Sequence, residues 1–600
     1  MSGIPQRVFG GIRPKIDPHL LPDALAQIAS GCRLTSGVLS PWRKTVAVNT
    51  PSKAGTKISM YRIAFGGTDY WLHWTTDVNV VKSQIASDAF NRFYYTGDGA
   101  PKVTNDNIAT QGAGTDYPLA WFTLGIPVPT IPTIASIVGG AAANQTRAYV
   151  YTLVSVWGEE GPPSLPVSGT GKSDATWTVN LPQVAQPGGG TYQISTKNLY
   201  RTVTASDGTS SFLLVASGIA LATASYADAA LDAALVGGTV LPSTSWIAPP
   251  TTLSGLIALP NGSMAGFTGN QLCLSEPYQP HAWPTKYRYA VDFNIVGIAA
   301  NGSSIAVCTT ANPYVFSGST PDGMVPAKGR VAEPCLSKRS VVDVGWGVLY
   351  ASPNGLVNAL SIDAEVVTKD LIHPKDWQAN YFPATMVGAT YQGFYHGYFM
   401  RSPGVGGGLV VDRTVDFGFK QILDFVDGAW LDPTTGFLYA IMQGVIVKWD
   451  ADPDNNVTFD WKSKLYVETK PINYGAVQVD ADYSSIGVSL QSAAQLAVDQ
   501  AFNTAMLAAQ TDHGELGTFS LGDIAIGGSL LHGGASLAVR FVQLQIYSGG
   551  VLKYTKSFTS RKIVKLPSGF KDDRYEIRVN GNIDVYSVKM AENSKAMDRL

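Results

Sequence analysis

Between residues 250 and 475 the chain keeps returning to one pattern: an apolar strand, a short turn built on Gly or Asn, then a second apolar strand. The pattern reads as "LIALPNGSMAGFTGNQLCLS", "IVGIAANGSSIAVCTTANPYVFSG", "SVVDVGWGVLYASPNGLVNAL", "GATYQGFYHGYFMRS" and "AWLDPTTGFLYAIMQGVIVKWD". One such unit cannot bury its apolar face alone, so neighbours must stack. A recurrence of about 40 to 50 residues predicts β-propeller blades. Residues 51–128 hold further strands of the same kind, "KISMYRIAF", "DYWLHWTT" and "NRFYYTG", separated by Gly/Asp turns, and read as the first propeller strands. With residues 249–475 as the main propeller, there is chain for about six or seven blades.

Composition agrees with a turn-rich β protein. Charged residues are only 15%, and the difference is made up by turn formers, including 62 Gly and 35 Pro. Residues 129–248 break the propeller pattern. "TRAYVYTLVSVWGEEGPPSLP", "WTVNLP", "TKNLYRTV", "SSFLLVAS" and "ASYADAAL" are short strands spaced roughly ten to fifteen residues apart. That spacing predicts an inserted β-sandwich, and "YVYTLVSVWGEEGPPS" with "YAD" resembles a fibronectin type III domain.

The two ends read differently. Residues 1–50 form an extended, proline-punctuated N-terminal arm with one short helix expected at Pro22 to Ser30, stopped by Gly31. An arm of this kind does not fold alone and must lie across something else. Residues 476–600 read as a small C-terminal β domain carrying a helix at Ser492 to Gln510. A small-residue face through Ala494, Val498, Ala501, Ala505 and Ala508 marks that helix, and a Gly-rich piece follows it, making an excursion over 488–530.

Reactive chemistry is hard to find. No P-loop, GxGxxG, GxSxG or HExxH occurs, and the seven histidines (His19, His73, His281, His373, His396, His513, His532) share no metal-ligand spacing. "DADPDNN", Asp450 to Asn456, mimics the start of a calcium loop. It has Asn455 where the loop needs Gly and Trp461 where it needs Glu, so a turn is the better reading. Cys32, Cys273, Cys308 and Cys335 lie far apart and read as free, buried thiols. The loop at "SEPYQPHAWP" carries Glu276 and His281. Its three prolines and the aromatics Tyr278 and Trp283 argue for a stiff connection pinned by its rings. No cofactor or metal is expected, and the chain is read as a non-enzyme. A net charge of −2 without a Lys/Arg run argues against sequence-specific nucleic-acid binding. The N-terminus has no apolar signal-peptide core, and the longest apolar stretch is too short to span a bilayer, so synthesis in a reducing cytoplasm is expected.

The N-terminal "FGGIRPKIDPHLLPDALAQIASGCRLTSGVLSPWR" resembles the opening arm of tail tubular, or tail nozzle, proteins of short-tailed bacteriophages. "RFYYTGDGAPKVT", "LYRTV", "LPNGSMAGFTGNQLCLSEPYQPHAWP" and "VGWGVLYASPNGLV" are similar to segments of the same class of virion protein. The resemblance implies a structural subunit of a ring, usually six-fold, below the portal and adaptor, that retains the genome and conducts DNA during ejection. The implied partners are other copies of itself, portal-side adaptor proteins, tail fibre or spike proteins, double-stranded DNA passing without sequence specificity, and the host envelope at the tip. The implied location is the virion tail, assembled in the host cytoplasm. Phe9, Ile12, Leu20, Leu21 and Trp42 are the arm residues expected to reach a neighbouring subunit. Asp499, Phe502, Gly514, Gly517, Gly527 and Gly528 mark the excursion as a candidate gate or tip, the glycines being possible hinges. Two alternatives stand beside this reading. One is a carbohydrate-binding or carbohydrate-degrading propeller, for which the aromatic loops "DYWLHW" and "YQPHAWP" speak. The other is a receptor-binding adhesin, for which the sandwich speaks.

Overall fold

The computed structural model describes residues 3–183, 192–204, 209–412, 418–485 and 540–597. The fold is mainly β and consists of many small sheets. Every repeat singled out in the sequence becomes a run of antiparallel neighbours, because each pair of apolar strands is joined by a turn too tight for anything else. In Gln392-Gly393 and Gln443-Gly444 both central residues have positive φ (54° and 79°; 51° and 81°). That is the backbone of a two-residue turn whose twist matches the flanking strands.

Seven sheets follow one another. Sheet I is the hairpin Ser59–Phe65 and Thr68–Trp74. Sheet II holds Asn79–Lys82, Arg92–Thr96, Lys102–Asn105 and Phe122–Thr123. Sheet III begins with Ser254–Ala258 and sheet IV with Ile295–Asn301. Sheet V begins with Val342–Asp343, sheet VI with Val387–Tyr391 and sheet VII with Gly428–Leu431. The first strands of sheets II to VII touch in that order, and the first strand of sheet VII touches Ser59–Phe65 of sheet I. Sheet I packs on sheet II through Tyr61 against Phe93 (ring centroids 5.6 Å) and Trp74 against Tyr95 (5.4 Å). The outer strand of sheet VII is not supplied by the sequence that follows it. Val46–Asn49, from the N-terminal segment, pairs antiparallel with Val445–Lys448.

Between sheets II and III lie two facing sheets. Thr133–Val138, Thr176–Asn180 and Ser225–Asp228 form one, and Val167–Lys172, Asn144–Ser155, Ile194–Thr204 and Ser210–Ala220 the other. Tyr149, Tyr151, Leu153, Trp177, Val179 and Leu199 fill the space between them. Inward and outward side chains alternate along Thr176–Asn180, which is why the period-two pattern was legible there.

The last strand of sheet VI, Lys420–Ile422, continues sideways into a larger layer. Ala26–Ser30 pairs with it, then come Phe459–Ser463, Asp572–Gly581, Val542–Ser548 and Val551–Phe558. A second sheet stacks here: Gly3–Gln6, Val585–Ala591, Ala476–Ala481 and Val564–Lys565. Their shared core contains Phe9, Trp461, Leu544, Ile577 and Val588.

Two local expectations change. The helix expected at Pro22 to Ser30 is instead a turn followed by the strand Ala26–Ser30. An isolated nine-residue helix is marginal, whereas this strand finds ladder partners on both sides. Gly31, expected as a helix stop, has φ +66°, and a Cβ there would lie 2.8 Å from the Thr458 carbonyl oxygen. Phe459–Ser463 and Tyr466–Ile472, grouped in the sequence with the propeller units ending at 475, pair instead with Asp572–Gly581, so the C-terminal β layer starts earlier than residue 476. The helix expected at Ser492 to Gln510 and the excursion over 488–530 lie outside the described residues. No helix among the described residues is long and apolar enough to cross a membrane.

Candidate functional site

The five arm residues divide unequally. Phe9, Ile12, Leu21 and Trp42 are buried in the chain's own core, and Leu20 alone remains open, at 64% exposure. Phe9 meets the edge of Trp461 at 4.9 Å, and the Trp461 indole N–H donates to the Gly10 carbonyl at 3.0 Å. Asp499, Phe502, Gly514, Gly517, Gly527 and Gly528 lie outside the described residues.

The loop with Glu276 and His281 is a tether. His281 Nε2 donates to the Glu160 carbonyl at 2.9 Å, which leaves Nδ1 bare and 3.9 Å from Glu159 Oε1. Burial pulls the His281 pKa down, opposed by the Glu159 charge, so the ring is neutral at pH 7. Arg92 Nη1 holds the same Glu159 oxygen at 2.6 Å and reaches Asp88 through Nε at 2.9 Å. These bonds clamp the inserted sandwich onto sheets II and III. Trp283 pins the loop as expected, with its N–H on the Pro280 carbonyl at 2.9 Å. Tyr278 is 53% exposed and merely covers Gly262.

Loop carboxylates are likewise engaged. Asp450 takes Arg33 and the backbone N–H of Arg43 (2.8 Å), and Asp452 Oδ1 accepts the N–H groups of Asp454 and Asn455 at 2.9 and 3.0 Å. The "DADPDNN" string is therefore a turn that ties the N-terminal segment to the end of sheet VII. Among the described residues no group of three or more His, Cys, Asp or Glu is arranged to hold a metal. All four cysteines are free and buried.

Two cavities lie against buried ionisable groups. The first lies where the inner strands converge. It has a volume of about 230 Å³, and its wall includes Ile58, Asp77, Asn79, Lys338, Arg339 and Trp430. Lys338 Nζ pairs with Asp77 Oδ2 at 3.1 Å. Arg339 Nη2 donates to the carbonyls of Ile58 (2.9 Å) and Asp427, tying the lead-in of sheet V to the lead-ins of sheets I and VII. Burial lowers the Arg339 pKa, while Asp77 and Asp427 oppose it, and burial raises that of Asp427. No local sequence pattern marked these residues. They meet because each lies beside the innermost strand of a different sheet.

The second cavity, of about 410 Å³, is walled by Trp42, Arg43, Lys44, Asp424, Met442 and Trp449. Behind it His396 is boxed by Trp42 (ring centroids 5.9 Å), Tyr391 (5.8 Å), Tyr398 (6.4 Å) and Trp449 (6.5 Å). Burial, reinforced by the Lys420 charge, lowers the His396 pKa to about 3. Burial also raises that of Asp424. His396 makes no hydrogen bond to the described residues, so no nucleophile–base relay runs through it.

No family model matches this chain, and neither does any curated protein.

Proposed function

We propose that the chain is a structural subunit of a bacteriophage tail nozzle: a seven-bladed β-propeller with a fibronectin-like insertion and a C-terminal β layer, copies of which form a ring around the DNA path. The observation that carries this reading is the way the chain closes. Val46–Asn49 completes the sheet of Val445–Lys448, so a strand from the start of the chain locks the last sheet. Such closure removes free edges and yields a stiff body. The segment leading to that strand is the same "FGG…LP…SPWR" stretch that resembles the nozzle arm.

The axial cavity bears on where DNA would pass. It measures about 230 Å³ and is crossed by the Lys338–Asp77 pair and Arg339, so a duplex cannot run through one subunit. The conduit lies between copies, arranged by heterologous contacts that close, usually with six-fold symmetry. A net charge of −2 suits a wall that passes a polyanion without holding it. Leu20, the one arm residue left open, marks the part of the arm available to a neighbour. Portal-side adaptors, fibre or spike proteins and the host envelope complete the proposed set of partners, in a virion tail assembled in the cytoplasm. The excursion over 488–530 is the proposed gate.

Averaged electron micrographs of the purified full-length protein test this reading. Rings with a central opening wide enough for duplex DNA are expected. Particles that stay monomeric at tens of micromolar, together with release of sugar from envelope polysaccharide, would establish the carbohydrate-active alternative instead.

A further inference from the structure

Two cations and one carboxylate face the axial cavity, and the carboxylate is already taken: Asp77 Oδ2 lies 3.1 Å from Lys338 Nζ. Arg339 has no carboxylate in ion-pair contact among the described residues. It spends Nη2 on two backbone carbonyls, its Nε and Nη1 make no hydrogen bond among the described residues, and the residue lines the cavity. A guanidinium stays charged in this setting and presents its N–H groups as a rigid fork. Much of the remaining wall is aliphatic, with Val78, Val80, Leu256 and Val341 among its members. Asp77 and Asp427 act on Arg339 through space without an ion-pair contact, so its N–H groups stay available to an anion. The fork of Arg339 beside an ammonium is the arrangement that recognises phosphate-type oxygens.

We propose that the axial cavity is a binding site for a small tetrahedral oxyanion of the phosphate type, held by the free N–H groups of Arg339 and by Lys338 Nζ. Asp77 acts as the counter-charge that keeps Lys338 in place and sets how tightly the anion is held. Because Arg339 also ties the lead-ins of sheets I, V and VII, the occupied site fastens three sheets at the axis. This site does not depend on the tail reading.

Isothermal titration of the full-length protein with inorganic phosphate, at ionic strength matched with chloride, tests the proposal. One saturable site is expected, together with a rise in melting temperature that chloride does not give. Lys338→Met weakens binding about tenfold or more, and Lys338→Arg restores it. Asp77→Asn tightens binding several-fold even though it removes an ion pair. A purely structural role for that pair predicts no gain in affinity. Equal responses to phosphate and chloride, or phosphate affinity unchanged in both Lys338→Met and Asp77→Asn, would overturn the proposal.

Discussion

Residues 3–50 and residues 133–228 both enter the structure as strands, but they are held by opposite means. The N-terminal segment has no core of its own. Apart from the local pair Cys32–Arg33 and Ser40–Pro41, its strands join three sheets whose other members lie hundreds of residues away, and Phe9, Ile12 and Leu39 sit in a core built mostly from residues beyond 340. The inserted sandwich packs Tyr149, Tyr151, Trp177 and Leu199 among themselves, and it meets sheets II and III through the polar groups Arg92, Glu159, Glu160 and His281 and through Trp157, which packs on Phe90 and Phe122. A segment too irregular to fold alone gains stability by being threaded into others. A segment with its own core needs only a clamp, so the two regions are expected to fail differently.

The largest effect is expected where the arm meets the C-terminal layer. Trp461→Ala removes a fully buried indole together with its contact to Phe9 and its bond to Gly10. A loss of about 3–5 kcal/mol is expected in denaturant unfolding. The transition monitored in the sandwich should keep its midpoint, and a joint shift of both transitions would erase the contrast between the regions.

Next comes a change inside the sandwich. Asp228 is fully buried, accepts the Tyr149 hydroxyl at 2.9 Å and lies 3.3 Å from Arg201 Nε. Asp228→Asn leaves Arg201 with Asp232, 3.0 Å away, as its one remaining carboxylate and weakens the Tyr149 bond, at an expected cost of about 2 kcal/mol. Here the sandwich transition alone should move, as read by limited proteolysis between residues 129 and 248.

The clamp should matter less. Glu159→Gln weakens the 2.6 Å bond to Arg92, which keeps Asp88, so a loss of about 1–2 kcal/mol is expected. Calorimetry should show the sandwich transition moving further from that of the remaining sheets, and an unchanged separation would mean that the clamp does not hold the two together.

The smallest effect is a pH slope from sheet VI. His396 is fully buried, with a folded pKa near 3 against about 6.5 when unfolded. The unfolded chain therefore binds the extra proton between these values. Stability from this residue is complete above about pH 6.5 and falls as pH drops toward 3, by at most about 1.4 kcal/mol per pH unit. In His396→Phe the loss of stability between pH 7 and pH 5 should shrink accordingly. An unchanged slope would show that His396 is not the group responsible.

Much of this architecture was legible beforehand, for reasons that differ by segment. Strands such as Arg92–Thr96 and Met264–Thr268 could be read because apolar, β-branched and aromatic residues sit between turns whose Gly and Asn tolerate positive φ. The sandwich strands could be read because alternation survives wherever two sheets enclose one core. Ala26–Ser30 was misread because its local composition favours a helix, while its pairing partners are Phe459–Ser463 and Lys420–Ile422. Leu20 could not be told from Leu21 as the exposed arm residue, since the two are adjacent and chemically alike.

The amino-acid order by itself determined where strands begin and turn back, that the sandwich is a separate unit, and that the thiols stay unpaired. These properties depend on neighbours within about ten residues, or on one side chain's preference for water. Only the tertiary structure decided that Val46–Asn49 closes the last sheet, that the arm lies inside the C-terminal layer, and that Asp77, Lys338 and Arg339 share one cavity. Those pairings join residues up to several hundred positions apart. They are selected by the packing and hydrogen bonding of the whole chain, which leave no trace in any short stretch of it.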